Sequence, residues 1–136
     1  MATKVLDSWA LIAFLEDEPA AVEVEKLLQQ AADERHKLLL SAVNWGEIYY
    51  NTMRRVSRVA AEQKALEIAS LPIEVVGVGE DLALVRQAAI FKTTHKMSYA
   101  DCFAAALARL RNAELVTGDP EFQALEKELK IAWLIQ

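Results

Sequence analysis

Five short runs rich in Val, Ile and Leu, at residues 4–6, 37–40, 73–76, 115–117 and 131–134, recur along the chain with helix-patterned stretches between them. Runs this short read as buried strands, and the long crossovers between them allow parallel pairing, which neighbouring hairpins would not. The alternation therefore predicts an α/β domain with a central parallel sheet of about five strands flanked by helices. Helices are expected over residues 8–15, 20–34, 42–56, 60–70, 80–92, 99–111 and, briefly, 120–126. Pro19, Pro72 and Pro120 mark segment starts, and Gly77, Gly79 and Gly118 mark turns. With 136 residues, 54% of them hydrophobic, the chain can bury one continuous core, so a single domain over residues 1–136 is expected.

No apolar stretch reaches the roughly 18 residues of a membrane helix, and the N-terminus lacks the pattern of a secretory signal. A cytoplasmic protein is expected. Cys102 is the only cysteine, so no internal disulfide forms, and its Ala-rich helix marks it as core. The chain contains neither G-x-x-x-x-G-K-[ST] nor G-x-G-x-x-G, which argues against nucleotide sites of those kinds.

Four acids stand apart from the other charges. Asp7 closes the first apolar run and precedes an uncharged helix that is apolar all round. Glu47 is the only carboxylate between Glu34 and Glu62, and Asp101 is the only charge from Tyr99 to Ala108. Asp119 follows Leu115-Val116-Thr117-Gly118 and precedes Pro120. Each has an ordinary explanation: helix capping for Asp7, a solvated face for Glu47, a capping-box variant with Ser98 for Asp101, and an N-cap before proline for Asp119. Their joint placement at strand ends or on interior-looking helices suggests one shared cluster, because open parallel sheets form sites beyond the carboxyl ends of their strands.

The segments Val5-Leu6-Asp7-Ser8, Asn44-Trp45-Gly46-Glu47, Met97-Ser98-Tyr99-Ala100-Asp101-Cys102-Phe103-Ala104-Ala105-Ala106 and Leu115-Val116-Thr117-Gly118-Asp119-Pro120-Glu121-Phe122 resemble, in order, the four motifs of PIN-domain ribonucleases. Within that family the chain most resembles VapC toxins of toxin–antitoxin pairs. The resemblance implies a Mg²⁺-dependent endoribonuclease, with Mn²⁺ as a substitute, in which Asp7, Glu47, Asp101 and Asp119 are catalytic and hold the metal. It also implies products with 5′-phosphate and 3′-hydroxyl ends, a cognate antitoxin lying across a groove near the third helix, and a homodimer. Glu121 stands where the family often has a second Asp, which leaves an auxiliary role open.

Ser8, Asn44 and Thr117 are short polar residues beside the acids, expected to orient them. Arg54, Arg55 and Arg58 are candidate RNA contacts, as are His95 and Lys96, although scattered solubilising charge explains them equally well. Tyr49 and Tyr50 suit base stacking, core packing or a partner face. The runs 48–50 and 82–90 are candidate interaction surfaces, with core packing as the alternative. His36 and His95 read as surface residues outside any zinc-ligand spacing. The net charge of −5 does not exclude RNA, because setting the four acids aside leaves only −1. A phosphoacceptor receiver domain would need an acidic pair after the first strand and a lysine after the last. Trp9 and residues 131–136 supply neither. Trp9 likewise removes the second acid of a D-x-D phosphatase, and a metal-free binding module is the remaining rival.

Overall fold

A computed structural model of the chain describes residues 1–135; the last residue of the expected domain, Gln136, lies outside that range. The elements follow in the order β1 (Ala2–Leu6), α1 (Ser8–Leu15), α2 (Ala21–Ala32), β2 (His36–Ser41), α3 (Ala42–Arg55), α4 (Arg58–Ala69), β3 (Glu74–Val76), α5 (Ala83–Thr94), α6 (Tyr99–Leu110), β4 (Glu114–Thr117), a 3₁₀ turn (Pro120–Leu125) and β5 (Ile131–Trp133). The strands form one parallel sheet in the order β3-β2-β1-β4-β5. The chain runs outward from β1 to one edge, then crosses to build the other half from β4. The crevice between β1 and β4 is thus the point where crossovers diverge, the position that leaves room for a site above the strand ends.

Strand periodicity sorts the core into two faces. Val5, Leu39 and Leu115, which are register partners, face a layer that includes Leu84, Ala88 and Phe91 of α5 and the alanines of α6. Leu6, Leu38 and Val116 face the opposite way, against Ala10 and Ala13 of α1 and Val24 and Leu28 of α2. Leu40 joins Leu11, Ile48 and Ile68 on that same side, under α3 and α4. Every residue of α6 from Asp101 to Ala108 is buried. Its small side chains let the helix lie against α5, α3 and the central strands together, and this places Asp101 inside the domain without long side chains to steer it.

Several element ends differ from the sequence expectation. The helix expected from residue 80 begins only at Ala83, because Gly79 (φ 84°) and Leu82 (φ 61°) both take left-handed backbone that no α-helix can include. The helix expected from residue 60 starts at Arg58, because Ser57 caps it by accepting from the Ala60 amide at 3.0 Å. The short helix after Asp119 is a 3₁₀ turn. His36 is not a surface residue. It opens β2 one position earlier than expected, and strand alternation turns it inward while Lys37 points out. Its ring is buried, with Nε2 3.1 Å from the Leu27 carbonyl of α2. His95 is also less exposed than expected, its Nε2 lying 2.9 Å from Glu128 and its Nδ1 2.8 Å from the Thr94 hydroxyl. Cys102 is fully buried in the core. Among the described residues, no helix is long and apolar enough to cross a membrane.

Leu39 sits at the centre of the sheet with no exposed surface. Leu39→Ala is expected to lower unfolding free energy by about 3 kcal/mol through lost burial and a residual cavity. Urea denaturation should show this as a reduced midpoint with an unchanged slope.

Candidate active site

Asp7 leaves the end of β1 and caps α1. One carboxylate oxygen accepts from the Ala10 amide at 2.9 Å, and the other accepts from the Thr117 hydroxyl at 2.5 Å. The Thr117 oxygen accepts in turn from the Asp119 amide at 3.0 Å. One hydroxyl at the end of β4 therefore ties the β1 acid to the backbone of the next one. Asp119 itself caps the 3₁₀ turn, accepting from the Glu121 amide at 3.0 Å.

Asp101 occupies the first turn of α6, and its amide donates to the capping hydroxyl of Ser98 at 3.1 Å. On α3, Glu47 accepts a short hydrogen bond from Ser8, whose hydroxyl also lies 3.4 Å from the Asn44 carbonyl oxygen. The Asn44 side chain donates to the Ala100 carbonyl at 3.1 Å and so pins the start of α3 to the start of α6. Ser8, Asn44 and Thr117 thus each touch an acid or the backbone beside one.

Oxygens of Asp101, Asp119 and Glu121 lie within 4.8 Å of one another. Glu121, left open on sequence grounds, is therefore part of the tightest group. The 3₁₀ geometry after Asp119 is what brings it there, near enough to Asp101 to help raise that carboxyl's pKa. Asp7 and Glu47 stand beside this group, close enough for their charges to be felt: Asp7 is repelled by Asp119 and Glu47.

Burial, with added repulsion from Asp119 and Glu47, pushes the Asp7 carboxyl up to about 7 against the opposing pull of its hydrogen bonds from Thr117 and Ala10. Burial, the Glu121 hydrogen bond and the charge of Asp119 likewise push Asp101 up to about 7, against the Ser98 hydrogen bond. No lysine, arginine or histidine forms an ion pair with any of the five acids among the described residues. Such a cluster is short of positive charge. Hard carboxylate oxygens with no cysteine or histidine among them suit Mg²⁺ or Mn²⁺. The Asn44 Oδ1 atom, one turn of α3 from Glu47, is buried with no hydrogen-bond partner among the described residues, and a metal-bound water would supply the donor it lacks. The residues present fit a divalent ion.

The remaining candidates divide. Arg54, Arg55 and Arg58 are exposed where α3 gives way to α4. The Arg54 guanidinium lies 5.2 Å from the centre of the half-exposed Tyr50 ring. Tyr49 is committed within the α3–α4 pair: it stacks on Trp45 at 5.2 Å and donates a short hydrogen bond to Glu62. Arg55 lines a cleft of about 260 Å³ between α1, α3 and α4, together with Ile12, Ile48, Val56 and Lys64. In the other candidate surface, Leu82 just before α5 and Ile90 on α5 are exposed, while Leu84 and Ala88 are core. A cavity of about 460 Å³ lies at the far end of α6 around Arg109, Asn112 and Lys127, and none of the five acids lines it.

The family profile of the PIN domain matches residues 4–128. This chain belongs to the PIN domain family. That match removes the receiver-domain and D-x-D phosphatase alternatives. Solved structures with the same fold include the VapBC2 complex from Rickettsia felis bound to a promoter DNA fragment (14% identity, 98% of this chain and 99% of that chain, TM-score 0.73). Another is VapBC-1 from nontypeable Haemophilus influenzae (21%, 96% and 97%, TM-score 0.67). A third is VapC20 from Mycobacterium tuberculosis, a toxin that cleaves the sarcin–ricin loop (22%, 89% and 93%, TM-score 0.67). No curated protein sequence matches the chain.

In this PIN domain the raised Asp7 and Asp101 groups stabilise the metal-free fold only while protonated. Their contribution is complete below the unfolded value of 3.8 and is lost as pH rises through about 7. Asp7→Asn removes one of the two losses while retaining the oxygen that accepts from Ala10. In EDTA, the melting temperature of the variant minus that of the wild type should therefore be larger above pH 7 than below pH 4. A pH-independent difference, read by calorimetry, would contradict this account of the cluster.

Proposed function

We propose that this PIN domain is a Mg²⁺-dependent endoribonuclease acting as the VapC-type toxin of a toxin–antitoxin pair. The observation that carries the reading is the convergence of five carboxylates, two of them pushed up to about 7, with no ion-paired cation among the described residues, at the crevice between β1 and β4 of a PIN fold. Structural likeness to VapBC complexes and to an RNA-cleaving toxin supports the choice of RNA and of a protein antitoxin as partners.

Asp101, Asp119 and Glu121 are the residues placed to hold a divalent ion directly, with Asp7 and Glu47 completing the set. When bound, the ion supplies a water of lowered pKa and neutralises charge building on the phosphodiester and on the departing 3′ oxygen. The protein's own part is positional. Thr117 fixes the carboxylate plane of Asp7, Ser8 holds Glu47, and the Ser98 cap sets the first turn of α6. Arg54, Arg55 and Arg58 serve as backbone-phosphate contacts, which favour RNA without reading its sequence. The cleft between α1, α3 and α4 is the groove for an antitoxin segment, and the exposed Leu82, just before α5, and Ile90 on α5 offer apolar area for a homodimer.

Purified protein incubated with mixed tRNA, rRNA and mRNA in Mg²⁺ should give discrete fragments carrying 5′-phosphates. EDTA, Asp7→Asn and Asp101→Asn should each abolish them while circular dichroism shows the variants folded. Fragments that persist in either variant would reject the assignment. Mn²⁺ should also raise the melting temperature of the wild type, as a ligand of the native state must.

A further inference from the structure

Gly118 lies between Thr117 and Asp119, and its φ is not left-handed; among the described glycines only Gly79 has that conformation. The backbone freedom of glycine is therefore not what this position uses. It uses the missing side chain: a Cβ here would fall 2.2 Å from Cη2, 2.3 Å from Cζ3 and 2.7 Å from Cζ2 of Trp9. The far edge of the indole rests directly on the Gly118 backbone, at a distance no other residue type permits without movement. Trp9 also packs against the core cluster that includes Leu6, Ala10, Val116 and Leu134.

The two partners belong to the two turns that carry acids. Trp9 follows Asp7 by two residues, and Gly118 immediately precedes Asp119. The Thr117 hydroxyl draws these turns together by hydrogen bonding on both sides, whereas the indole against Gly118 is a hard limit on how closely and at what angle they meet. An attraction and a steric stop acting between the same two turns define a spacing more sharply than either does alone.

Building on the metal-dependent reading above, we propose that Trp9 seated on Gly118 is the gauge that sets the separation of the Asp7 and Asp119 carboxylates, making Trp9 and Gly118 positioning residues for divalent-ion binding. Neither touches the ion. Gly118→Ala forces the indole or one of the turns to shift, and Trp9→Leu removes the stop while leaving the glycine.

The test is a double-mutant cycle read by calorimetric titration of the metal-free protein with Mn²⁺, with melting temperatures measured in parallel. Gly118→Ala is expected to weaken Mn²⁺ affinity by about 10-fold or more, the range seen when groups orienting metal ligands are lost. The Trp9→Leu/Gly118→Ala double variant should bind more tightly than Gly118→Ala alone, because the collision is gone, giving a non-additive cycle. Should Gly118→Ala not fold, Trp9→Leu alone still decides, since loss of the stop should weaken Mn²⁺ affinity more than Trp9→Phe does. Unchanged affinity in folded Gly118→Ala or in Trp9→Leu, even with lowered melting temperatures, would reduce the contact to ordinary packing and overturn the proposal. Additive losses in the cycle would do the same. If the wild type itself bound no Mn²⁺, the metal-dependent reading would fall, and this inference with it.

Discussion

Repulsion among carboxylates held at one end of a parallel sheet is the constraint around which the rest of the molecule is arranged. Unpaired acids brought this close would push a loosely built site apart. Here the opposing forces are local and directional. Asp7, Asp119 and Asp101 each sit at or just inside the start of a helical element, where free amides point outward and the positive end of the element favours negative charge. The hydrogen bonds from Ala10 and Glu121 to Asp7 and Asp119 are the direct expression of this. The capping roles that Asp7 and Asp119 invite when taken singly are seen in the structure, and they are also the means by which these acids can be gathered in one place.

Packing does the remainder. The alanines of α6 bring its first turn, and so Asp101, up to the central strands, while Asn44 couples α3 to that same turn. Strand register aligns Leu6 with Val116 and thereby sets Asp7 beside Thr117. Core and site are therefore not separable layers: the residues that fill the interior also determine where the charges end up.

Much of this was legible in the sequence because it is written in local patterns. Apolar runs of strand length, helical crossovers and isolated acids all announce themselves within a dozen residues, and the β/α alternation leaves few other architectures. What escaped depends on distant partners or on the phase of an element. His36 reads as a polar residue before a strand, and only pairing of β2 with β1 from Ala2 onward turns it inward. The late start of α5 follows from left-handed backbone at Leu82, which a bulky residue gives no reason to expect. Glu121 enters the acid group because a 3₁₀ turn replaces the expected helix. Gly118 reads as a turn residue, but the reason for glycine there is an indole contributed from far earlier in the chain.

The dual use of the acids has a consequence for how such a domain changes over generations. Asparagine caps helical elements about as well as aspartate, and any aspartate codon becomes an asparagine codon through one base change. At Asp119 that change would keep the oxygen that accepts from the Glu121 amide while removing the charge. Whatever activity the carboxylates support can thus be silenced in one genetic step without dismantling the fold, so selection against that activity would leave behind intact, inert descendants more readily than unfolded ones.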